Sequence, residues 1–386
     1  MAVSRMTLAD QYSGKDIRLQ TGKEYGYALK LANATIRDTA ASIQDETVVA
    51  VWLLGLYEMI SVVLTHGRTA EGSLTEEEEW QSHISHVKGA MNLLRLRGLV
   101  QFTHPRSEKI FRVFKAAIQM RLFILNSVTS KDFDDLEIDV YNEEQEFVPS
   151  KTANKATSYF HRVARLLEKI KQFLIRSAKK PELVDGIKAD GNTLLQFGEA
   201  LDASMEGWSK DEPGWDIMPI RAEKAGSMWA LYPSHAVYYF YSFWIYLYWL
   251  RFLSARVKLY EALIELRKSI SSEAAPGGDQ RRTSSTQNLH LSKYRTIIQM
   301  TAAELIGLTA YALGDVTPTG AFNSSASGRS PNGGFQEINV VATMQLVIPL
   351  KLLQRSSYPT ATQKGAIDLA ITHIGDGFRR QPLYLA

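Results

Sequence analysis

Residues 47–114 read TVVAVWLLGLYEMISVVLTHGRTAEGSLTEEEEWQSHISHVKGAMNLLRLRGLVQFTHPRSEKIFRVF, and this stretch decides the fold prediction. Its first part, residues 48–64, is apolar at almost every position, which predicts a helix that is buried on most of its sides. Asp45 belongs to a residue type that favours the N-cap position, so this helix is expected to begin there. A polar loop then leads into a second helical pattern.

The second helix of this stretch opens at Thr75 with a capping-box pattern, in which a run of glutamates also complements the helix dipole. Apolar residues then recur at helical spacing on one face: Trp80, Ile84, Val87, Met91 and Leu94. Gly98 stands where a glycine in the left-handed conformation commonly ends a helix. We therefore predict an amphipathic helix over residues 75–98.

The rest of the chain is also predicted to be helical. Further helices are expected over residues 24–37, 109–125, 157–177, 194–205, 290–311, 337–354 and 360–375. Residues 237–250, VYYFYSFWIYLYWL, are predicted to form a buried core helix that continues through SARVKLYEALIELRKSI. No run of alternating strands is found.

Three kinds of segment separate these helices. Residues 1–21 are expected to form a flexible N-terminal arm, and the acidic residues 129–147 an irregular connection. Residues 271–287 and 318–334 are rich in Ser, Gly and Pro and are predicted to be two flexible insertions. The fold prediction is all-α, with one large multi-helix domain over residues 22–386.

Composition and charge exclude several classes of protein. A chain of 386 residues with 45% hydrophobic and 22% charged residues is typical of a globular protein that buries a large core. It has no cysteine, which excludes disulfides, thiolate metal sites and cysteine nucleophiles. Its 44 Lys and Arg against 41 Asp and Glu are too balanced for a nucleic-acid surface. The aromatic segment is shorter than the roughly 20 residues that span a bilayer, so no membrane span is expected.

The aromatic segment is the best candidate for a small-molecule site. Tyrosine hydroxyls in an apolar wall suit a pocket for a planar or terpenoid-like ligand, and His235 and Arg251 flank the segment as polar groups. The candidate ligand-binding residues are Trp229, Tyr238, Tyr241, Trp244 and Tyr248. The alternative is a large core whose tyrosines meet buried partners. No cofactor is predicted.

Two polar groups lie within the opening stretch and just beyond it. Glu79, His83 and His86 share one helical face, a spacing that suits zinc, but the absence of a fourth ligand motif favours surface or packing roles. No metal is therefore predicted. A basic run is interpreted as a solvated face: Arg95, Arg97, Arg106, Lys109, Arg112, Lys115 and Arg121. No phosphate loop, nucleophile elbow or His-Glu-x-x-His motif is present.

Several loose motifs occur in a definite order from residue 22 to the end. They are the apolar helix ending in LYEMI, the helix organised around Trp80, His86 and Gly89-Ala90, the segment FWIYLYWLRFLSARVKLYEALIEL, and the ending IPLKLLQRSSYPTATQKGAIDLAITHIGDGFRRQPLYLA. This order resembles the regulatory (middle-homology) domain of the fungal zinc-binuclear-cluster transcription factors. Two departures stand out. One helical turn is shifted between Trp80 and Gly89, and the sequence has no cysteines for a zinc cluster.

The resemblance implies a fungal, transcription-regulator-like protein in the nucleus, without its own DNA-binding domain and without direct contact to nucleic acid. It would act by sensing a small hydrophobic ligand, or by binding a protein partner or a second copy through the helix over residues 75–98. The alternative is a helical domain recruited as a cytoplasmic enzyme of secondary metabolism, for cyclisation, rearrangement or elimination on a hydrophobic intermediate. The candidate catalytic residues for that alternative are His83, His86, His235, Tyr241 and Arg251. A third interpretation is a fragment whose gene lost its first exon.

Overall fold

A computed structural model of the protein describes residues 15–65, 76–98, 102–124, 150–179, 184–211, 217–221, 236–272, 280–316 and 340–380. Of these described residues, 91% are helical, in 12 helices, which confirms the all-α prediction. The first five helices are α1 Lys15–Arg37, α2 Thr39–Ser42, α3 Asp45–Thr65, α4 Glu76–Arg97 and α5 Pro105–Ile124. The other seven are α6 Ser150–Lys179, α7 Val184–Asp211, α8 Phe243–Ser272, α9 Gln280–Gly307, α10 Thr309–Ala312, α11 Val340–Arg355 and α12 Ala361–Arg380.

Helices α3 and α4 form close to their predicted extents, with one difference at the start of α3, and α5 begins at Pro105, before the predicted start at Lys109. Gly98 has φ +51° and ends α4 in the left-handed conformation. Asp45 is the first residue of α3 and not its N-cap; its carboxylate instead accepts hydrogen bonds from Arg97 (2.5 Å) and Ser107 (3.0 Å). The Asp45 carboxylate therefore pairs with residues of α4 and α5, whereas the sequence predicted that it would cap its own helix. Thr75 lies outside the described residues.

The prediction of one continuous helix over residues 237–250 is wrong. The segment divides into a strand, β2 Ala236–Phe240, and the first turns of α8. Strand β2 pairs antiparallel with β1 Ile217–Arg221. Its run of Val, Tyr and Phe suits a strand, since β-branched and aromatic side chains pack well on a pleated surface. The Ser242 hydroxyl then accepts a hydrogen bond from the main-chain N–H of Trp244 (3.3 Å), at the turn into α8.

Parts of the segments predicted to be flexible are helical in the structure. Helix α1 begins at Lys15, so residues 15–21 of the expected flexible arm are helical. Helix α9 begins at Gln280, so the prediction of a flexible insertion is wrong for residues 280–287. Residues 271 and 272 of the same insertion form the end of α8, and its residues 273–279 lie outside the described residues. The structure also leaves undescribed residues 1–14, 129–147 and 318–334.

Helix α8 lies in the centre of the main core. Its residues Leu253, Val257, Leu263 and Ile264 are completely buried, and the helix packs against α6, α7, α9 and α11. A second, smaller core joins α3, α4 and α5 through Val51, Val87, Leu94, Phe114, Ile118 and their neighbours. Val87, Met91 and Leu94 of the stripe predicted on α4 belong to this smaller core, and Ile84 is also buried. In the part of the chain that the structure describes, no helix is both long and apolar enough to cross a membrane.

Candidate functional site

A cluster of four polar side chains joins α1, α3 and α4, and we call it the Glu58 node. Glu58 Oε1 accepts hydrogen bonds from the hydroxyls of Tyr25 and Ser82, each at 2.6 Å, and from His86 Nε2 at 3.2 Å. His86 Nε2 also lies 3.2 Å from the Tyr25 hydroxyl. The side chains of His86 and Glu58 are 15% and 13% exposed, so the node is largely buried but within reach of solvent.

The hydrogen bonds of the node favour an ionised Glu58. Burial alone would raise the pKa of Glu58, but the hydrogen bonds from His86, Ser82 and Tyr25 outweigh it and lower that pKa. Burial and the neighbouring carboxylate together raise the pKa of Tyr25, which therefore stays a neutral donor. The node thus holds one carboxylate among several donors, as charge-assisted hydrogen bonding requires.

Close packing of α3 on α4 depends on Gly55. A Cβ atom at this position would lie 3.1 Å from the Cβ of His86, which is tighter than ordinary packing. The Gly55 carbonyl accepts a hydrogen bond from His83 Nδ1 at 3.0 Å. Because a carbonyl can only accept, Nδ1 carries the proton of the His83 ring. A glycine in α3 and two histidines in α4 therefore set the distance between the helices.

His83 is a buried, neutral residue. It is 1% exposed, and burial lowers the pKa of its imidazole to about 3, helped by the charge of Arg121 and opposed by the hydrogen bond to Gly55. His83 and His86, both predicted as candidate catalytic residues, thus have different surroundings. Within the described ranges, no group of three or more His, Asp or Glu side chains is arranged to hold a metal ion. The side chain of Glu79 lies outside what the structure describes.

Arg121 is the most unusual group in this part of the molecule. Its side chain is 1% exposed, and its guanidinium carbon lies 4.1 Å from the ring centroid of Trp52. The atoms Nε, Nη1 and Nη2 are buried, and none of them has a hydrogen-bond acceptor in the described part of the chain. Burial lowers the pKa of Arg121 to about 9, so the group remains charged at neutral pH.

Burial of the charged Arg121 guanidinium costs more free energy than its visible contacts return. Removing an ion from water costs several kcal/mol, whereas a cation–π contact returns about 2 kcal/mol even when it is desolvated. Trp52 also stacks on Phe114, with centroids 4.8 Å apart, so the walls near the guanidinium are aromatic. The cost is therefore only partly offset by the contacts that the structure shows.

The interpretation of the basic run as a solvated face is wrong for two of its members. Arg97 and Arg121 are 4% and 1% exposed, whereas Arg106 and Lys109 are exposed as expected. Arg121 was therefore missed as a site residue. A signal for it exists in the sequence, because position 121 follows Phe114 and Ile118 by seven and three residues and so shares their helical face.

The aromatic candidates are spread over β2 and the start of α8. Tyr241 is 57% exposed just after β2, and Tyr238 is half-buried within it. Burial, together with the charge of Glu304, raises the pKa of Tyr238. Trp244 is half-buried in the first turn of α8, 6.0 Å from Phe243 between ring centroids.

Tyr248 and Arg251 are the two candidates that the structure brings together. The Arg251 guanidinium carbon lies 5.9 Å from the Tyr248 ring and 5.8 Å from the ring of Phe160 on α6. Tyr246, which belongs to the aromatic segment but was not a candidate ligand-binding residue, is completely buried and donates its hydroxyl hydrogen to the Ala342 carbonyl at 2.9 Å. Trp229 and His235 lie outside the described residues, and the small-molecule pocket stays a prediction.

A second polar cluster, which the sequence did not reveal, links α7 to α8. The buried Asp202 accepts hydrogen bonds from Arg256 Nε and Nη2 at 2.7 and 3.0 Å, and from the Tyr260 hydroxyl at 2.6 Å. Arg256 also contacts Glu206 at 3.4 Å. Every oxygen of Asp202 is thus paired, as stable burial of a carboxylate requires.

Comparison with protein-family models, with curated proteins and with solved structures finds no match to this chain. The resemblance therefore rests on the sequence motifs that carry it.

Proposed function

We propose that the chain is a transcription-regulator-like protein related to the fungal regulatory domain, and that it acts by responding to a ligand or a protein partner. One observation carries this proposal. The two halves of the opening motif meet at the Glu58 node, where Glu58 of LYEMI accepts the hydrogen bond of His86 from the helix with Gly89-Ala90. Residues that define the resemblance in separate helices are therefore joined by a direct polar contact.

The Glu58 node has properties that a regulatory element needs. It ties three helices together through one carboxylate oxygen, and its members are partly accessible to solvent. Tyr25 also stacks on Tyr57, with ring centroids 4.5 Å apart, so α1 is held on α3 by two kinds of contact. A ligand or partner that favours a different placement of α1 shifts the equilibrium by its difference in affinity for the two states.

A tethering experiment tests this proposal. The chain is fused to an unrelated DNA-binding domain, and transcription of a reporter with the matching operator is measured in a fungal host. We expect reporter output to differ from that of the DNA-binding domain alone, and Glu58→Gln to alter this effect. Glu46→Gln is the matched control, because Glu46 lies on the same helix with a side chain 71% exposed. Output equal to that of the bare DNA-binding domain would contradict the proposal.

An enzyme of secondary metabolism is the second candidate, and the Glu58–His86 pair favours it. A carboxylate and an imidazole at 3.2 Å, next to a tyrosine hydroxyl, are groups of the kind that transfer protons in general acid–base catalysis. Deletion of the gene separates the two functions. Changed transcripts across a set of genes support a regulator. Unchanged transcripts with accumulation of one unprocessed metabolite support the enzyme, in which case His86→Gln should reproduce the accumulation.

The two candidate functions also differ in the proposed location. The regulator is proposed to be nuclear and the enzyme cytoplasmic, and a fluorescent fusion of the chain distinguishes the two.

A further inference from the structure

We propose that Arg121 anchors an internal binding site for a small organic carboxylate, formed between α3, α4 and α5 with Trp52 as one wall. The observation behind this is geometric. A guanidinium that is 1% exposed has three buried nitrogens, and no side-chain or main-chain acceptor of the described residues meets any of them. Such groups are rare in native proteins and call for a specific explanation.

The contacts that do surround Arg121 leave its donors unused. Trp52 stacks at 4.1 Å and interacts with the charge through the face of its ring, while the N–H groups of a guanidinium point outward in its own plane. His83 lies close enough for the Arg121 charge to lower its pKa, and the imidazole is neutral at pH 7. Within the described residues no hydrogen-bond acceptor meets the Arg121 guanidinium, and the proposal assigns this role to the carboxylate of a bound ligand.

The chemistry of the site selects a singly charged acid with an apolar body. One guanidinium neutralises one charge, and its planar fork matches the two oxygens of a carboxylate. The helices around it contribute apolar side chains to the smaller core, among them Val51, Phe114 and Ile118. A dianion such as phosphate would bring a second charge into these surroundings without a partner, which burial strongly disfavours.

This assignment rests on the proposed function only for its biological role, as the effector site of a regulator. Binding is a property of the purified chain and is measured without any reporter. Failure of carboxylate binding therefore leaves the tethering result untouched, and failure of the tethering experiment leaves a measured carboxylate site in place.

The test uses the purified full chain and two matched pairs of probes, propionate with propionamide and benzoate with benzamide. Thermal unfolding and isothermal titration are followed at pH 7, with inorganic phosphate as a further probe. At least one carboxylate should raise the unfolding temperature in a saturable manner. Its affinity should exceed that of the matched amide about tenfold or more, as expected when a charged acceptor completes a buried guanidinium.

Three variants make the result specific. Arg121→Met keeps the length of the side chain, removes the charge and should abolish the difference between acid and amide, with folding checked by circular dichroism. Arg121→Lys keeps the charge without the fork and should weaken binding. Arg106→Met is the control, because Arg106 lies on the same helix with its side chain 67% exposed, and it should bind like the unmodified chain.

The opposite outcomes overturn the assignment. If neither carboxylate binds better than its amide, the site does not recognise an acid. If Arg121→Met also lowers the unfolding temperature in that case, the guanidinium is stabilised within the protein. If phosphate binds as well as the tighter of the two carboxylates, the ligand class is wrong. Carboxylate binding that survives Arg121→Met places the site elsewhere.

Discussion

Protonation of His83 makes a sharp prediction about how stability depends on pH. The pKa of the buried imidazole is lowered to about 3, whereas an unfolded histidine titrates near ~6.5. Between these values the unfolded chain binds a proton that the folded chain does not, so the free energy of unfolding falls as pH drops below about 6.5. From pH 7 to pH 5 the loss attributable to His83 is about 2 kcal/mol, at roughly 1.4 kcal/mol per pH unit.

The assay compares urea denaturation of the unmodified chain and of His83→Gln at pH 7 and pH 5. The glutamine can still donate to the Gly55 carbonyl but does not titrate, so this variant should lose about 2 kcal/mol less between the two pH values. His104→Gln is the control, because His104 is exposed, and it should follow the unmodified chain. If the unmodified chain and His83→Gln lose stability in parallel, the folded protein accepts a proton on His83 and the reasoning from burial fails.

Three further predictions concern packing and buried polar groups, each measured by urea denaturation. Gly191→Ala should be about 1–3 kcal/mol less stable than Gly207→Ala on the same helix, because a Cβ at Gly191 would lie within 2.8 Å of three side-chain atoms while Gly207 has open space around it. Equal stability of these two variants would mean that α7 shifts freely. Asp202→Asn should cost about 3–5 kcal/mol, since it leaves Arg256 without its main counterion, and a loss below about 1 kcal/mol would mark the pair as solvated. Tyr246→Phe should cost about 0.5–1.5 kcal/mol, because it removes the buried hydrogen bond from the Tyr246 hydroxyl to the Ala342 carbonyl, and no loss would mean that this bond adds nothing to net stability.

Regular helices with strong local signals could be predicted from the sequence. For α3 and α4 the apolar run, the amphipathic stripe and the glycine that ends the helix all agree, and their predicted extents match the structure closely. Such features depend on residues within a turn or two of each other, so reading along the chain is enough to find them.

The aromatic segment shows where this kind of reading fails. Val237 and Phe240 are apolar in a helix and in a strand alike, and a short apolar run cannot distinguish the two by periodicity. The hydrogen-bond partner that decides the matter is β1, which lies about 15 residues earlier and carries no strand pattern that stands out. A non-local ladder therefore set the conformation of residues 236–240.

For the polar side chains, too, the sequence determined one part of the outcome and the tertiary structure another. The sequence by itself determined that the chain is helical, free of cysteine and built around an LYEMI helix followed by a helix with His83 and His86. Only the tertiary structure decided that His83 is neutral and buried, that His86 joins Glu58 and Tyr25, and that Arg121 is an interior charge. The physical reason is that burial and pairing depend on which helices pack together, and a charged side chain looks the same in a sequence whether water or a helix lies beside it.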